Sequence, residues 1–413
     1  MKIWLINHYA VPPQYYPLAR PSLFAKNLIK MGHDVTIIAA STVHNSESKN
    51  LINGKEKVKR ITDDGIPYVL INCTPYQGNG FKRVLNIREF AKRLPGVLDS
   101  LEKPDVIVAT SFDPISCLAG ILYAKKNEIK AISEIADLWP ETLLSYSKIS
   151  ARNPIVRYLR RIEKRIYLES DAIVFTMEGA YDYIVEQGWQ NEIKRDKVFF
   201  INNGIDFEQF KYNREHYVVD DEDLNNAELF KVVYTGSIRR VNNLGVLLDA
   251  AKLINVPGIK ILIWGDGDEL EALKDRVKNE IIGNVEFKGK VQKKYVPFIT
   301  AKADLNIAHY SSSPILRFGV SLNKMFDYCA AGHPILFDFN CKYNPVVLNG
   351  AGIGLEEQTP QTIADAILYF ANLDGNSIKE YSENAIRVAK KYDFKKLTQD
   401  LFDIMQRIMK GAE

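Results

Sequence analysis

Residues 321–336 read SLNKMFDYCAAGHPIL, and this stretch carries the pattern that decides the fold. It is mostly apolar, yet Lys324 and Asp327 stand near its start and a Gly-His-Pro triplet ends it. We expect a helix here, with Ser321 as its N-cap. The amino end of a helix attracts phosphate oxygens, and a carboxylate one turn further on can accept hydrogen bonds from ribose hydroxyls. The stretch therefore indicates either a nucleotide diphosphate site or an ordinary salt bridge on a solvated helix face.

Length and composition are typical of a globular protein with two or three domains. The chain has 413 residues, of which 46% are hydrophobic and 25% are charged. A net charge of +3 is too small to indicate a nucleic-acid partner. The four cysteines have no metal-ligand spacing, and no apolar run has the length of a membrane span. We expect a cytoplasmic protein that binds no nucleic acid.

Short apolar runs alternate with helical segments along nearly the whole chain, which predicts an α/β fold with parallel sheets. The first half contains runs such as KIWLINHY and DVIVATS, and the second half contains KVVYTGS and IKILIWGDG. Two such series predict two doubly wound Rossmann-like domains, each with a crevice at the carboxyl ends of its strands. We place the first domain at 1–197 and the second at 198–392. A final amphipathic helix at 393–413 is expected to pack back on the first domain.

Two loops that follow strands of the second half are candidate phosphate sites. The loop in YTGSIRR combines a glycine, which allows close approach of a ligand, with arginines, whose planar group suits phosphate oxygens. The loop in IWGDG lies at the carboxyl edge of a buried strand. A tight turn with solvated side chains explains either loop as well. The candidate residues are Gly236, Ser237, Arg240, Gly265 and Asp266.

The first half offers polar residues at strand ends and two basic segments. Asp137 follows the strand KAISEI, where an acid can face a sugar hydroxyl, and His8 ends the first strand. A strand end with an Asp turn and a Pro-initiated helix is at least as good an explanation for the neighbouring acids Glu134 and Glu141. The amphipathic segments 81–94 and 154–168 are basic enough to lie on anionic lipid head groups. A charged solvent face of a packed helix is the commoner explanation of such segments.

Taken together, the motifs resemble the retaining glycosyltransferases of family 4, which have the GT-B fold. In chain order they are GHDVTII (32–38), DLWPE (137–141), NNGIDFEQF (202–210), YTGSIRR and SPILRFGVSLNKMFDYCAAGHPIL. The last motif is similar to the branch that builds O-antigen and capsule, which includes N-acetyl-fucosaminyl transferases. The resemblance implies two Rossmann-like domains that face each other across a cleft, with the acceptor in the first and a nucleotide sugar in the second.

The resemblance also implies roles for individual residues. Arg240 and Lys324 would neutralise the leaving diphosphate, and Asp137 is a further catalytic candidate. One acid of the family's usual pair is replaced, because Leu316 stands at the loop position of its first glutamate. The donor-binding positions are Gly236, Ser237, Gly265, Asp266, Gly289, Val291, Arg317, Phe318, Gly319, Val320, Ser321 and Asp327. The acceptor-binding candidates are His8, Tyr15, Tyr16 and Arg20.

The implied reaction moves a sugar, an N-acetylated hexose or deoxyhexose, from a UDP-sugar to a lipid-diphosphate-linked saccharide in surface polysaccharide assembly. It retains the anomeric configuration and uses neither a metal nor another cofactor. The enzyme would lie on the inner face of the plasma membrane through its two basic segments. Two alternatives stay open: a UDP-sugar 2-epimerase of the same fold, and a catalytically silent nucleotide-binding partner subunit.

Overall fold

The computed structural model describes residues 1–16, 19–44, 46, 49–147 and 149–411. Pro17 and Leu18, within the stretch expected to meet the acceptor, lie outside this range. The chain divides into two compact units, Met1–Asn202 with Phe394–Glu413, and Asn203–Asp393. The first unit extends beyond the expected end at residue 197 because the strand Val198–Phe200 pairs within its sheet.

The first unit is built on an eight-stranded sheet in the order β3-β4-β2-β1-β5-β6-β7-β8. Its pairs are parallel except for the hairpin of β3 with β4. The strands are β1 Lys2–Ile6, β2 Asp34–Ala40, β3 Val58–Asp63, β4 Ile66–Ile71, β5 Val106–Thr110, β6 Lys130–Ile135, β7 Ala172–Phe175 and β8 Val198–Phe200. The helices are α1 Ala19–Lys30, α2 Phe81–Leu98, α3 Pro114–Lys126, α4 Glu141–Tyr146, α5 Pro154–Glu169 and α6 Ala180–Glu186.

The second unit is built on a six-stranded parallel sheet in the order β11-β10-β9-β12-β13-β14. The helices of this unit are α7 Phe207–His216, α8 Glu222–Asn225, α9 Leu244–Leu253, α10 Leu270–Asn279, α11 Val296–Ala301, α12 Asn323–Ala331, α13 Pro345–Leu348, α14 Pro360–Ala371 and α15 Gly375–Lys391. The strands are β9 Phe230–Ser237, β10 Ile259–Asp266, β11 Val285–Gly289, β12 Leu305–Ala308, β13 Ile335–Phe337 and β14 Gly352–Gly354. This is the strand order of a Rossmann domain, and it follows from right-handed crossovers that run first one way and then the other from the central strand.

The last helix, α16 Phe394–Lys410, belongs to the first unit. It packs against α1, where the rings of Phe394 and Phe24 lie 5.4 Å apart. Its buried residues recur at helical spacing, so a single apolar face is covered. They are Phe394, Leu397, Thr398, Leu401, Ile404, Met405 and Ile408.

Strand β9 shows why the second sheet is covered on both faces. Val232 and Tyr234 belong to one buried cluster, with residues of α9 and α14. Val233, on the other face, belongs to a second cluster that includes Ile299 of α11. Because side chains alternate across a strand, a continuous apolar run such as KVVYTG buries one set of residues on each face.

Two glycines allow the ends of β9 and β10 to approach closely. A Cβ added at Gly265 would collide with the carbonyl oxygen of Gly236, and one added at Gly267 would collide with the carbonyl oxygen of Ile238. The glycine in IWGDG is therefore required by main-chain packing next to the candidate phosphate loop.

In the described part of the chain, no helix combines the length and the apolar composition needed to cross a bilayer.

We predict that Gly265→Ala will lower the free energy of unfolding of the second unit by about 1–3 kcal/mol, because the new methyl group must displace main chain. Gly283→Ala is the matched control, since its added Cβ meets only open space within the described residues. Denaturant unfolding of both variants measures the difference. Equal stability of the two would show that the strand ends can separate without cost.

Candidate active site

The candidate donor site lies where the strand order of the second sheet reverses. β9 and β12 are neighbours in the sheet, but the chain leaves them in opposite directions. The loops that follow such a pair of strands diverge and leave a crevice at their carboxyl ends. Strand β9 ends with Gly236 and Ser237, and helix α12 begins close to this strand end.

The hydroxyl group of Tyr234 connects the β9 loop to α12. Lys324 Nζ donates to this hydroxyl at 2.9 Å and lies 4.1 Å from the centroid of the tyrosine ring. The same hydroxyl donates to the carbonyl oxygen of Ser237 at 2.8 Å. From α12, the hydroxyl of Tyr328 accepts from the main-chain N–H of Thr235 at 2.9 Å. The helix is thus fixed to the strand end by two tyrosines.

Lys324 is held against the main chain of the loop. A Cβ added at Gly236 would lie 2.8 Å from Lys324 Nζ, so the amine is packed against the main chain of this glycine. Burial lowers the pKa of Lys324 to about 7, while the carboxylate of Asp338 acts in the opposite direction. A buried amine of this kind is half charged near neutral pH and gains stability from any anion placed beside it.

Asp327 follows Lys324 by one turn of α12 and is buried, with 2% of its surface exposed. Its Oδ2 is paired with Nζ of Lys293, whose side chain is 64% exposed. An exposed lysine therefore covers the buried carboxylate. Ribose hydroxyls could replace the lysine as donors to Asp327, which fits the expected role of this residue.

The start of α12 differs from the expectation, and the assignment of Ser321 as its N-cap is wrong. The helix begins at Asn323, and Leu322 occupies the N-cap position. Ser321 is instead bound to Asn203, whose side-chain amide donates to the Ser321 carbonyl oxygen at 3.2 Å. The Ser321 hydroxyl oxygen accepts from the main-chain N–H of Asn203 at 3.4 Å, and the N-cap position of α12 makes no side-chain hydrogen bond.

The turn before Ser321 is a 3-10 helix over Pro314–Phe318. Gly319 closes it with φ 115°, a conformation that favours glycine, and its N–H donates to the Leu316 carbonyl oxygen. Of the three main-chain N–H groups expected for the diphosphate, at Phe318, Gly319 and Val320, the middle one is therefore bound within the turn. Arg317 lies over the ring of Phe318 at 4.1 Å.

Arg240 lies in a second 3-10 turn, Arg240–Asn242, between β9 and α9, and it is exposed. The turn is closed by Ser237 Oγ, which donates to Asn242 Oδ1 at 2.8 Å. Asn243 follows in the left-handed conformation with φ 51°. The guanidinium of Arg240 is thus carried on a short braced loop at the crevice.

The other donor candidates lie at the carboxyl ends of β10 and β11. Asp266 is exposed, and its Oδ1 accepts from the N–H of Gly267 at 2.8 Å. Gly289 ends β11 with φ 78°, and Val291 packs against the buried cluster that contains Leu262. The strand order separates β11 from β12 by two strands, so these residues are at the far side of the crevice.

The first unit has an equivalent switch point between β1 and β5. His8 follows β1 and Asp113 follows β5, and the two buried side chains approach to 3.5 Å, from Nδ1 to Oδ2. Burial lowers the pKa of His8 to about 3 and raises the pKa of Asp113 to about 6. At pH 7 the imidazole is therefore neutral and the carboxylate is charged.

Arg83 of α2 is the cation of this cluster, and sequence reasoning had placed it on a lipid-facing segment. Its Nη2 donates to the hydroxyl of Tyr9 at 3.1 Å. Its charge lowers the pKa values of Asp113 and Asp137, although burial holds both at about 6. Arg83 therefore lies close to both acids, and Asp137, the third catalytic candidate, belongs to the same polar cluster.

The remaining acceptor candidates have different surroundings. Arg20 is buried and paired with Glu134 at 2.9 Å, and it donates to the carbonyl oxygen of Ile201 at 2.9 Å. These contacts connect α1 to β6 and to the residue that follows β8. Tyr15 is 44% exposed, and the ring of Tyr16 lies 5.4 Å from that of His44.

Sequence reasoning missed a cluster of polar side chains next to the loop between β9 and α9. His309 follows β12, Asp338 follows β13, and Gln358 donates to Asp338 Oδ1 at 3.1 Å. His309 directly follows β12, which borders the switch point, and Asp338 directly follows the neighbouring strand β13. A polar residue directly after a buried strand is the signal that could have identified both.

Comparison with known proteins agrees with this architecture. The model of Glycosyltransferase Family 4 matches residues 23–209, and the model of Glycosyl transferases group 1 matches residues 220–391. The chain is 24% identical over 256 residues to the uncharacterized glycosyltransferase MJ1069 of Methanocaldococcus jannaschii, a match that covers 61% of this chain and 62% of that relative. The match thus spans less than two thirds of the relative's length.

Several solved structures share the fold along the whole chain. Sucrose-phosphate synthase from Thermosynechococcus elongatus has a TM-score of 0.72 at 14% identity, with 100% of each chain covered. Anabaena HepE in complex with UDP has a TM-score of 0.68 at 14% identity, with 98% of this chain and 100% of that chain covered. The trehalose-6-phosphate protein of E. coli bound with UDP-2-fluoro glucose has a TM-score of 0.72 at 11% identity, with 98% and 99% covered.

The expected α/β architecture and the expectation of an enzyme are confirmed. The two family models fall on the two structural units, and their sum leaves only short segments of the chain unmatched. The chain belongs to the glycosyltransferases of the GT-B fold, with a family 4 domain followed by a group 1 domain.

Proposed function

We propose that the protein transfers a sugar from a UDP-sugar to a lipid-diphosphate-linked saccharide with retention of configuration. The observation that carries the proposal is the position of Lys324, whose amine lies against Gly236 at the switch point while Asp327 stands one turn away on the same helix. A cation at the strand end suits the phosphates of a nucleoside diphosphate, and a buried carboxylate one turn further along the helix suits its ribose.

The chemistry follows from where charge develops. The bond between the sugar C1 and the diphosphate oxygen breaks, the acceptor oxygen bonds to C1, and the acceptor's hydroxyl proton passes to the departing phosphate. Negative charge grows on the diphosphate, so fixed cations lower the barrier more than they favour the ground state. Arg240 and Lys324 supply these charges in the proposal, without a metal ion.

The acceptor would be bound by the first unit. Its switch point combines a neutral imidazole, at His8, with the carboxylates Asp113 and Asp137 and the guanidinium of Arg83. Carboxylates and a neutral imidazole accept hydrogen bonds from hydroxyl groups, which a saccharide offers in number. An N-acetylated hexose or deoxyhexose as donor sugar, and surface polysaccharide assembly as the setting, are supported by the resemblance of residues 313–336 to that branch of the family.

A lipid-linked acceptor requires contact with a membrane surface, and two helices of the first unit are suited to it. α2 exposes Phe81 and Val84, which are 78% and 46% accessible, beside several basic residues. α5 exposes Ile155 and Tyr158 beside a second basic group. Because α3 packs against both helices, they lie in one layer. Arg160 of α5 is turned inward, since it binds Glu141 at 2.7 Å.

We predict that Asp327→Ala raises the donor KM and that Lys324→Ala lowers kcat, because the first loses ribose contacts and the second loses charge stabilisation of the leaving group. Each effect should be at least about tenfold. Steady-state transfer assays measure both, and chelation with EDTA should leave the rate unchanged. Turnover of UDP-GlcNAc without any acceptor would instead support an epimerase, and wild-type kinetics in both variants would remove the site assignment.

We predict that UDP affinity falls as pH rises above neutrality. The pKa of Lys324 is lowered to about 7, so the free protein must take up a proton to place an ammonium beside the diphosphate. The dissociation constant should rise toward about tenfold per pH unit between roughly pH 7 and pH 8.5. Titration calorimetry measures this, and Lys324→Arg should flatten the profile because arginine stays charged. A flat wild-type profile would contradict the prediction.

We predict that the protein pellets with phosphatidylglycerol vesicles but not with phosphatidylcholine vesicles, and that salt weakens the binding. Reversing three exposed charges of α5, Arg157→Glu, Arg161→Glu and Arg165→Glu, should abolish sedimentation. The control reverses three exposed lysines of α15, at 379, 390 and 391, which changes the net charge equally. Equal loss in both triple variants would indicate a non-specific charge effect and no binding face on α5.

A further inference from the structure

His309 is fully buried and contacts the loop between β9 and α9. The residue follows β12, and neither its side chain nor that of Asp338 has any exposed surface. Its Nδ1 contacts Asp338 Oδ2 at the end of β13. Its Nε2 lies 2.8 Å from the carbonyl oxygen of Asn243, the residue that precedes α9. One ring thus links two strand ends to the loop that carries Arg240.

The partners of the ring determine where its protons are. A main-chain carbonyl oxygen can only accept, so Nε2 must carry a hydrogen and donate it to Asn243. Nδ1 faces Asp338 Oδ2, so the carboxylate fixes the orientation of the ring while Nε2 remains the donor to Asn243. Gln358 fixes Asp338 from the other side, because its Nε2 donates to Asp338 Oδ1 at 3.1 Å and to the Tyr310 carbonyl oxygen at 3.0 Å.

The carbonyl group that His309 holds belongs to the residue that sets the direction of the loop. Asn243 has φ 51°, a conformation that costs energy for any residue other than glycine. It joins the 3-10 turn Arg240–Asn242 to the first residue of α9, and its carbonyl oxygen also accepts from the N–H of Val246 at 3.1 Å. Any rotation of this peptide would move Arg240 and the amino end of α9 together.

We propose that His309 is a positioning residue for the donor diphosphate: its Nε2–H holds the Asn243 carbonyl and so fixes Arg240 and the amino end of α9 where phosphate oxygens bind. This inference rests on the proposed function, because it assigns a role at the same donor site. His309 does not touch the donor itself, so its effect is confined to the part of the ligand that the loop contacts. Loss of His309 should therefore weaken binding of the phosphates and leave binding of the uridine group unchanged.

Two substitutions test the two hydrogen bonds of the ring one at a time. The side-chain nitrogen of glutamine reaches the place of Nε2, whereas that of asparagine reaches only the place of Nδ1. We measure UDP and uridine binding by titration calorimetry for wild type, His309→Gln and His309→Asn. His309→Gln should bind UDP within about threefold of wild type, and His309→Asn should bind it at least about tenfold more weakly. Uridine affinity should stay unchanged in both.

A second histidine of the same unit provides the matched control. His333 also bonds a main-chain carbonyl, that of Ala301, with Nε2 at 2.9 Å, but it precedes β13 and so lies at the opposite end of the sheet. His333→Asn should leave the ratio of UDP to uridine affinity at its wild-type value. If His309→Asn does not fold, Gln358→Leu replaces it, with a loss of UDP affinity of a few fold and uridine again unchanged.

The outcomes are distinct. Unchanged UDP affinity in His309→Asn, or an equal loss for UDP and uridine, overturns the role of His309 while leaving donor binding intact. An equal loss of UDP affinity in His333→Asn overturns it as well, since any destabilised histidine would then produce the effect. If the wild-type protein binds neither UDP nor uridine, the proposed function fails, and the inference about His309 fails with it.

Discussion

The hydrogen bonds of the Tyr234 hydroxyl group are the interactions on which the geometry of the candidate donor site depends. The hydroxyl accepts from Lys324 and donates to the Ser237 carbonyl, so a single oxygen fixes both the cation and the loop beside it. Tyr234 can do this because its ring is buried in the core cluster of the second sheet, which leaves its hydroxyl at the strand end with no freedom of direction. The packing of the central strand therefore holds Lys324 and the carbonyl group of Ser237 in place.

Each unit has a switch point in the strand order of its sheet, and the two switch points carry different side chains. In the second unit the switch point carries Lys324 and Arg240, and the buried acids nearby, Asp327 and Asp338, are each paired with a basic side chain. In the first unit the acids Asp113 and Asp137 share one nearby cation, Arg83. A cationic crevice suits phosphates and a crevice rich in acceptors suits hydroxyl groups, so the side chains at the two switch points support the proposed division into a donor unit and an acceptor unit.

Sequence reasoning was most successful where spacing alone decides geometry. Alternating runs and helical segments predicted both Rossmann-like domains, and the interval between Lys324 and Asp327 placed them on one face of a helix. It failed at Ser321, because the hydroxyl group of this serine bonds the main-chain N–H of Asn203, which is distant in the sequence. It also missed the contact of His309 with Asp338, because two residues separated by 29 positions meet only once two strands are paired in register.

A lysine with a lowered pKa is useful at a site that releases a diphosphate. An exposed, fully charged lysine would attract any anion and would pay a similar desolvation cost each time the donor binds. The amine of Lys324 lies 4.1 Å from the centroid of the Tyr234 ring and its pKa is lowered to about 7, so in the proposed reaction it becomes fully charged when phosphate oxygens arrive to stabilise the ammonium. As the bond to the sugar breaks and negative charge grows on the diphosphate, the same contact would strengthen. The burial that lowers the pKa of Lys324 in the free protein would in this way favour the transition state of the proposed reaction.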